Sequence, residues 1–247
     1  MLSASETHIV TLRQHARLIF GLAIVLVLFH LLANALGSDR GQAGLIVAAV
    51  VLAALLAVEW TLFGEQPAAA VRSLGLGQPA VRGMVTSLVA CVLLLAVIPV
   101  YAALRGATIS MPPGWVWLLP GLFAQAGIAE EALFRGYLFG RLRKGRSFWR
   151  AALAAAMPFV AVHLVLFATL KWPVALAAVL LSTILSFPLA RLFELGGNTI
   201  WAPALLHFVV QGAIKVVELR GDTGLPIVWM AASALVPWLV FIPSRRR

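Results

Sequence analysis

Residues 127–140 read GIAEEALFRGYLFG and place Glu130, Glu131 and Arg135 inside an otherwise apolar stretch. An ionisable side chain in a lipid-embedded helix costs at least ~2.5 kcal/mol, so those that persist usually carry function. Away from the ends of apolar runs the other clear cases are His163 and His207, with Glu59, Gln125 and Gln211 as lesser candidates. Glu131 and Arg135 are four residues apart, so on a helix they share a face and can neutralise each other. Glu130 points about 100° away and has no such local partner. A carboxylate left free in this way suits a general base, whose proton affinity is tuned by burial and by a nearby imidazole.

Phe159 and His163 share one helical face, and His207 and Gln211 share another. If those faces meet that of Glu130, they enclose one carboxylate, two imidazoles and one amide. Glu130 and His163 would hold and deprotonate a water, while His207 and Gln211 would donate hydrogen bonds to the oxyanion formed on a peptide carbonyl. No serine or cysteine accompanies the set, so the expected hydrolysis has no covalent intermediate. Glu130, His163 and His207 also read as two imidazoles and a carboxylate around zinc with an open position for water. No H-E-x-x-H helix is present. The metal-free chemistry is the favoured expectation, because the Gln211 amide is more useful as a donor than as a zinc ligand.

These residues need elements to position them. The chain has 247 residues, 62% of them hydrophobic and 11% charged, and its mean hydropathy is +0.99. That composition implies an all-α polytopic membrane protein rather than a soluble domain. A bilayer core about 30 Å thick needs roughly 20 apolar residues. Eight stretches qualify: 17–36, 44–64, 84–104, 115–142, 151–170, 172–193, 199–217 and 224–243. The fourth carries Pro120 and Gly127 and is expected to tilt or kink. The linker 65–83 reads as a surface loop with a short interfacial helix. The organisation expected is three spans and loops over 1–114, a catalytic core over 115–217, and a last helix with a basic tail over 218–247.

At ~1.5 Å per residue, Glu130 lies about 16 Å from Arg141, His163 about 20 Å from Arg150 and His207 about 13 Å from Asn198, so three helices carry ionisable groups at comparable depth. The net charge of +10 does not suggest nucleic acid, since the basic residues flank apolar runs. Of 19 Lys and Arg, 13 fall on the side shared by both termini and 5 on the other, Arg135 being within a span. That bias predicts both termini in the cytoplasm, and the expected location is a bacterial plasma membrane. The first helix reads as an uncleaved anchor in preference to a cleaved leader, although Ala33-Asn34-Ala35 resembles a cleavage site. The lone Cys91 excludes disulfides within the chain and cysteine-based metal sites.

EEALFRG (130–136), FVAVH (159–163) and HFVVQ (207–211) resemble, in order and each on a predicted membrane helix, the three motifs of the CPBP intramembrane proteases. That family includes endopeptidases that trim prenylated CAAX proteins, and bacterial relatives linked to bacteriocin processing and immunity. The resemblance covers roughly residues 115–217. It implies Glu130 as the water-activating carboxylate assisted by His163, Glu131 and Arg135 as a supporting pair, and His207 with Gln211 as the oxyanion site. Members have been described both as metalloproteases and as metal-independent glutamic proteases. The family usually carries asparagine where this chain has Gln211. The added methylene displaces the amide donor by about an ångström, a shift large enough to lower a rate.

Each residue also has a simpler reading. Glu131 and Arg135 are an ion pair that fixes helix packing, Phe159 packs around the site, and Glu59 reaches the interface near Glu65. Gln125, five residues before Glu130, is off its helical face, and the sequence alone suggests no role for His8, His15 or His30. The basic loop 141–150 anchors topology, with a lesser capacity to attract anionic lipid or an acidic substrate segment. Two other classes remain beside the protease: a proton-coupled transporter, and a scaffold or immunity protein that keeps the fold without cleavage. The expected partners are membrane lipids and a membrane-bound or lipid-modified polypeptide substrate.

Overall fold

The computed structural model describes residues 4–36 and 41–242. Arg40 and Arg245 to Arg247, which contribute to the predicted charge bias, and the last residue of the predicted eighth span lie outside them. The protein is an all-α membrane bundle. Helices α1 (Ala4–Ala35), α2 (Gln42–Phe63) and α4 (Val81–Arg105) precede the long fourth segment, which opens with α5 (Trp115–Leu122) and closes with α6 (Gly140–Arg143). Then come α7 (Phe148–His163), α8 (Leu166–Thr169), α9 (Trp172–Leu195), α10 (Trp201–Val216) and α11 (Leu225–Leu235), the last prolonged by a 3-10 turn over Val236–Phe241. The short helix α3 (Pro67–Ser73) lies within the 65–83 linker. Pro67, Pro173 and Pro226 stand in the first turns of α3, α9 and α11, where a missing N–H costs nothing.

Five helical stretches among the described residues are long and apolar enough to cross a membrane: Leu12–Ala35, Gln42–Phe63, Val81–Arg105, Phe148–Thr169 and Trp172–Leu195. The fourth of these, Phe148–Thr169, is interrupted by a turn directly after His163. The predicted seventh span is the 16-residue α10, about 24 Å long at 1.5 Å per residue, which is shorter than the hydrocarbon core. An antiparallel ribbon of β1 (Thr108–Ser110) and β2 (Glu218–Arg220) joins the bundle.

Packing in lipid has no apolar–polar contrast between helices to exploit, so small residues decide which faces meet. Helix α4 buries Gly83, Ser87, Ala90, Cys91 and Leu94 at helical spacing, and turns Val85, Leu88, Val89 and Val92 outward. Ser87 Oγ donates to the Ala202 carbonyl at 2.6 Å and ties α4 to α10. Helix α7 buries Ala151, Ala152, Ala155 and Ala156, and α9 buries Ser182, Ser186 and Ala190, so these two approach through small side chains. One apolar cluster joins α1, α2, the fourth segment and α7, and a second joins α4, α9, α10 and α11. The linker is not a free surface loop: Leu74 is fully buried, Ile200 N–H donates to the Gly75 carbonyl at 2.9 Å, and Trp201 Nε1–H donates to the Gly77 carbonyl at 2.8 Å.

Candidate active site

The fourth segment changes gauge where the carboxylates sit. It widens into π-helical turns over Phe123–Ala129 and again over Ala132–Phe139, with Glu130 and Glu131 between. The Glu130 N–H accordingly bonds to the Gln125 carbonyl five residues back. Such widened turns recur at functional sites because they aim a side chain where a regular helix would not. The expected kink at Pro120 and Gly127 is thus a change of winding.

Two glycines set the neighbouring elements. A Cβ on Gly127 would lie 3.0 Å from the Ala204 carbonyl oxygen, so glycine lets α10 close on the fourth segment one turn before His207. A Cβ on Gly136 would lie 2.1 Å from the Leu74 carbonyl oxygen, so the glycine of the EEALFRG motif is where linker backbone presses on this helix.

Glu131 is fully buried, and its Oε1 accepts from Arg135 Nη1 at 3.0 Å and from His207 Nδ1 at 2.7 Å. A carboxylate facing Nδ1 assigns the ring proton to that nitrogen and leaves Nε2 as acceptor. The Gln211 amide agrees with this tautomer. Its Oε1 accepts from Lys215 Nζ at 3.3 Å, which turns Nε2 toward His207 Nε2 at 2.9 Å. The same His207 Nε2 lies 3.9 Å from Glu130 Oε2, too far for a direct hydrogen bond. Glu130 retains 15% side-chain exposure, whereas Glu131, Arg135 and His207 are at 0–3%. Among the described residues no donor reaches the buried Oε2 of Glu131, which leaves that oxygen open to a further donor.

Phe159 forms the wall behind these groups. The Arg135 guanidinium sits 4.6 Å above its ring, with His163 at 4.8 Å and His207 at 6.3 Å, ring centre to ring centre. His163, the last residue of α7 and half-buried, donates from Nδ1 to the Phe159 carbonyl at 2.7 Å, so its Nε2 is the open acceptor. Glu130, Glu131, Arg135, His207 and Gln211 are therefore gathered in one network, and His163 joins it through Phe159.

Several expectations change in this geometry. The nearest imidazole to Glu130 is that of His207, and His163 makes no hydrogen bond or ion pair with Glu130. Glu131 anchors His207 as well as Arg135, because one carboxylate oxygen accepts two donors. His207 and Gln211 bond to each other instead of standing as two parallel free donors. Among the described residues no group of three His, Cys, Asp or Glu side chains is arranged to hold a metal ion. Glu59 does not reach the interface. It is fully buried and paired with Arg141, whose guanidinium lies 4.1 Å from the Phe63 ring centre and 4.8 Å from that of Tyr137. Off-face reasoning for Gln125 assumed a regular helix, and the widened turn stacks its carbonyl beneath Glu130. Lys215 was not singled out, although its i, i+4 spacing from Gln211 was the available signal.

A cavity of about 720 Å³ lies elsewhere, lined by Arg17, Arg72 and residues of the 140–146 stretch. Neither this cavity nor a void of about 10 Å³ beside Arg135 and Phe159 includes Glu130.

No curated protein matches the chain. Residues 112–213, which carry Glu130, Glu131, Arg135, His163, His207 and Gln211, match the family model described as type II CAAX prenyl endopeptidase Rce1-like, so this segment is similar to CPBP-family intramembrane proteases.

Proposed function

We propose that this protein is an intramembrane endopeptidase in which Glu130 is the general base, acting on membrane-bound or lipid-modified polypeptides of the CAAX type. The observation that carries this reading is the 3.9 Å gap between Glu130 Oε2 and His207 Nε2, with His207 Nδ1 tied to the buried Glu131. That separation leaves room beside Glu130 Oε2 for a water that donates a proton to the carboxylate and presents its lone pair to a carbonyl, while His207 Nε2 accepts from Gln211.

Glu130 takes a proton as the water oxygen bonds to the carbonyl carbon. The same proton then goes to the departing amine nitrogen as the C–N bond breaks, and the products are a carboxylic acid and an amine. Glu131 keeps His207 in the tautomer whose Nε2 accepts from Gln211, while Arg135 offsets the charge of Glu131. The Gln211 amide has a second N–H beyond the one on His207, and this is the donor assigned to the oxyanion. His163 is assigned to orient the water or the scissile carbonyl from the end of α7. All of these steps run through protein side chains.

The protein is an integral membrane protein, and the charge bias supports both termini on the cytoplasmic side. The Glu130→Gln variant, purified in detergent and offered a prenylated peptide, is expected to lose cleavage by a factor of roughly 10²–10⁴ while retaining its thermal transition. Wild-type cleavage rates in that variant would falsify the assignment.

A further inference from the structure

We propose that the cavity at the basic end of the bundle binds the phosphate headgroup of an anionic phospholipid. Its volume, about 720 Å³, is in the range of small-molecule sites. The wall brings together Arg17 of α1, Arg72 of α3, and Arg141, Arg143, Lys144 and Arg146 of the fourth segment and its loop, against the single lining carboxylate of Glu65. Arg141 is paired with Glu59, and Arg143 with Glu194. No carboxylate among the described residues forms an ion pair with Arg17, Arg72, Lys144 or Arg146. Arg146 instead donates to the Leu142 carbonyl at 3.0 Å and bonds to the His15 ring at 2.7 Å. Four cations thus share a concave space with one acid, an excess that a phosphate would compensate.

The surroundings choose a lipid over a soluble anion. Leu18, Phe63, Leu142 and Phe193 also line the cavity. Directly beyond Arg17 and Leu18, α1 turns Ile19, Phe20, Ile24 and Val27 outward, at 42–65% exposure. A headgroup held among the arginines would therefore lay its acyl chains along an apolar helix face already facing the bilayer. The site is not the one that holds Glu130. It does bear on that segment, because Tyr137 donates to the Leu18 carbonyl at 3.1 Å one turn before Arg141, so an occupant would clamp α1 and α3 to the helix that carries the two carboxylates.

The test uses the full chain in a neutral detergent, with short-chain phosphatidylglycerol as probe and the thermal transition and tryptophan fluorescence as readouts. Phosphatidylglycerol is expected to raise the transition temperature saturably, and phosphatidylcholine is not. The Arg17→Gln/Arg72→Gln variant should fold as wild type and bind phosphatidylglycerol roughly tenfold or more weakly, given the attraction usual for basic residues at an anionic surface. A matched variant with the same charge loss outside the cavity, Arg82→Gln/Arg150→Gln, should bind as wild type. Equal weakening in both variants, equal stabilisation by phosphatidylcholine, or full stabilisation by inorganic phosphate alone would each overturn the proposal.

Discussion

Glu131 Oε1 lies 2.7 Å from His207 Nδ1 and accepts Arg135 at 3.0 Å through the same oxygen. A single buried carboxylate therefore joins the fourth segment to α10, neutralises an arginine and fixes an imidazole. Removing it would leave the Arg135 cation, 3% exposed, without its counter-ion. Breaking a buried pair from one side typically costs about 3–5 kcal/mol. Glu131→Ala is expected to lower the thermal transition of the detergent-solubilised protein sharply, and Glu131→Ala/Arg135→Met to recover most of the loss. A single variant as stable as wild type would refute the anchoring role.

Gln211 connects His207 Nε2 at 2.9 Å to Lys215 Nζ at 3.3 Å, so its amide is held from both ends. Leucine at this position keeps the approximate size and removes the donor. If the second amide N–H serves the oxyanion, Gln211→Leu should lower kcat by about 10²–10³ with little change in KM. Lys215→Met should fall between that variant and wild type, because it leaves the amide in place but unfixed. Steady-state cleavage of a prenylated peptide checks both, and a Gln211→Leu enzyme with unaltered kcat would remove the amide from the proposed mechanism.

The apolar spans were legible in the sequence because lipid imposes one length and one composition on whatever crosses it. The pairing of Glu131 with Arg135 was legible too, since i, i+4 spacing is a local property. What local spacing does not contain is the partner on another helix. His207 reaches Glu131 only after Gly127 lets α10 approach, and Glu59 finds Arg141 across two segments distant in sequence. The π-helical turns were equally hidden. Pro120 and Gly127 signal an irregularity, but the choice between a kink and a widened winding depends on how the flanking helices pack. The basic cavity has the same origin, as Arg17, Arg72 and Lys144 belong to stretches that only the fold brings together.

Gly136 permits a backbone contact that no other residue would. A Cβ there would sit 2.1 Å from the Leu74 carbonyl oxygen, and carbonyl backbone cannot rotate away as a flexible side chain can. Overpacking of this kind usually costs about 1–3 kcal/mol. Gly136→Ala is expected at the upper end of that range, because Leu74 and Gly75 are held in turn by α10 through the Ile200 contact. Gly77 offers a control from the same linker, since a Cβ there meets nothing within 4 Å. Thermal denaturation should separate the two alanine variants clearly, and similar transitions would show that the linker yields.

Asp222 closes the end of the bundle that carries the β1–β2 ribbon. It accepts Arg105 Nε at 2.9 Å, Tyr101 Oη at 3.1 Å and the Gly224 N–H at 2.7 Å. The hydrogen bond from Arg105 is the chief reason its carboxyl is held below the ordinary carboxylate value, with Gly224 and Tyr101 adding to the effect. A depressed folded value means the unfolded chain takes up the proton first as pH falls. The contribution to stability is therefore complete above the unfolded value of about 3.9 and is lost as pH drops through the folded value beneath it. From pH 5 to 8 this contact should leave the ribbon's stability unchanged. Amide hydrogen exchange in β1 and β2, corrected for intrinsic rates, should stay constant across that window in the wild type and accelerate under stronger acid. Asp222→Asn should exchange faster from pH 5 to 8 and lose the acid-dependent change; a variant that kept the wild-type acid response would show that another carboxylate closes this end.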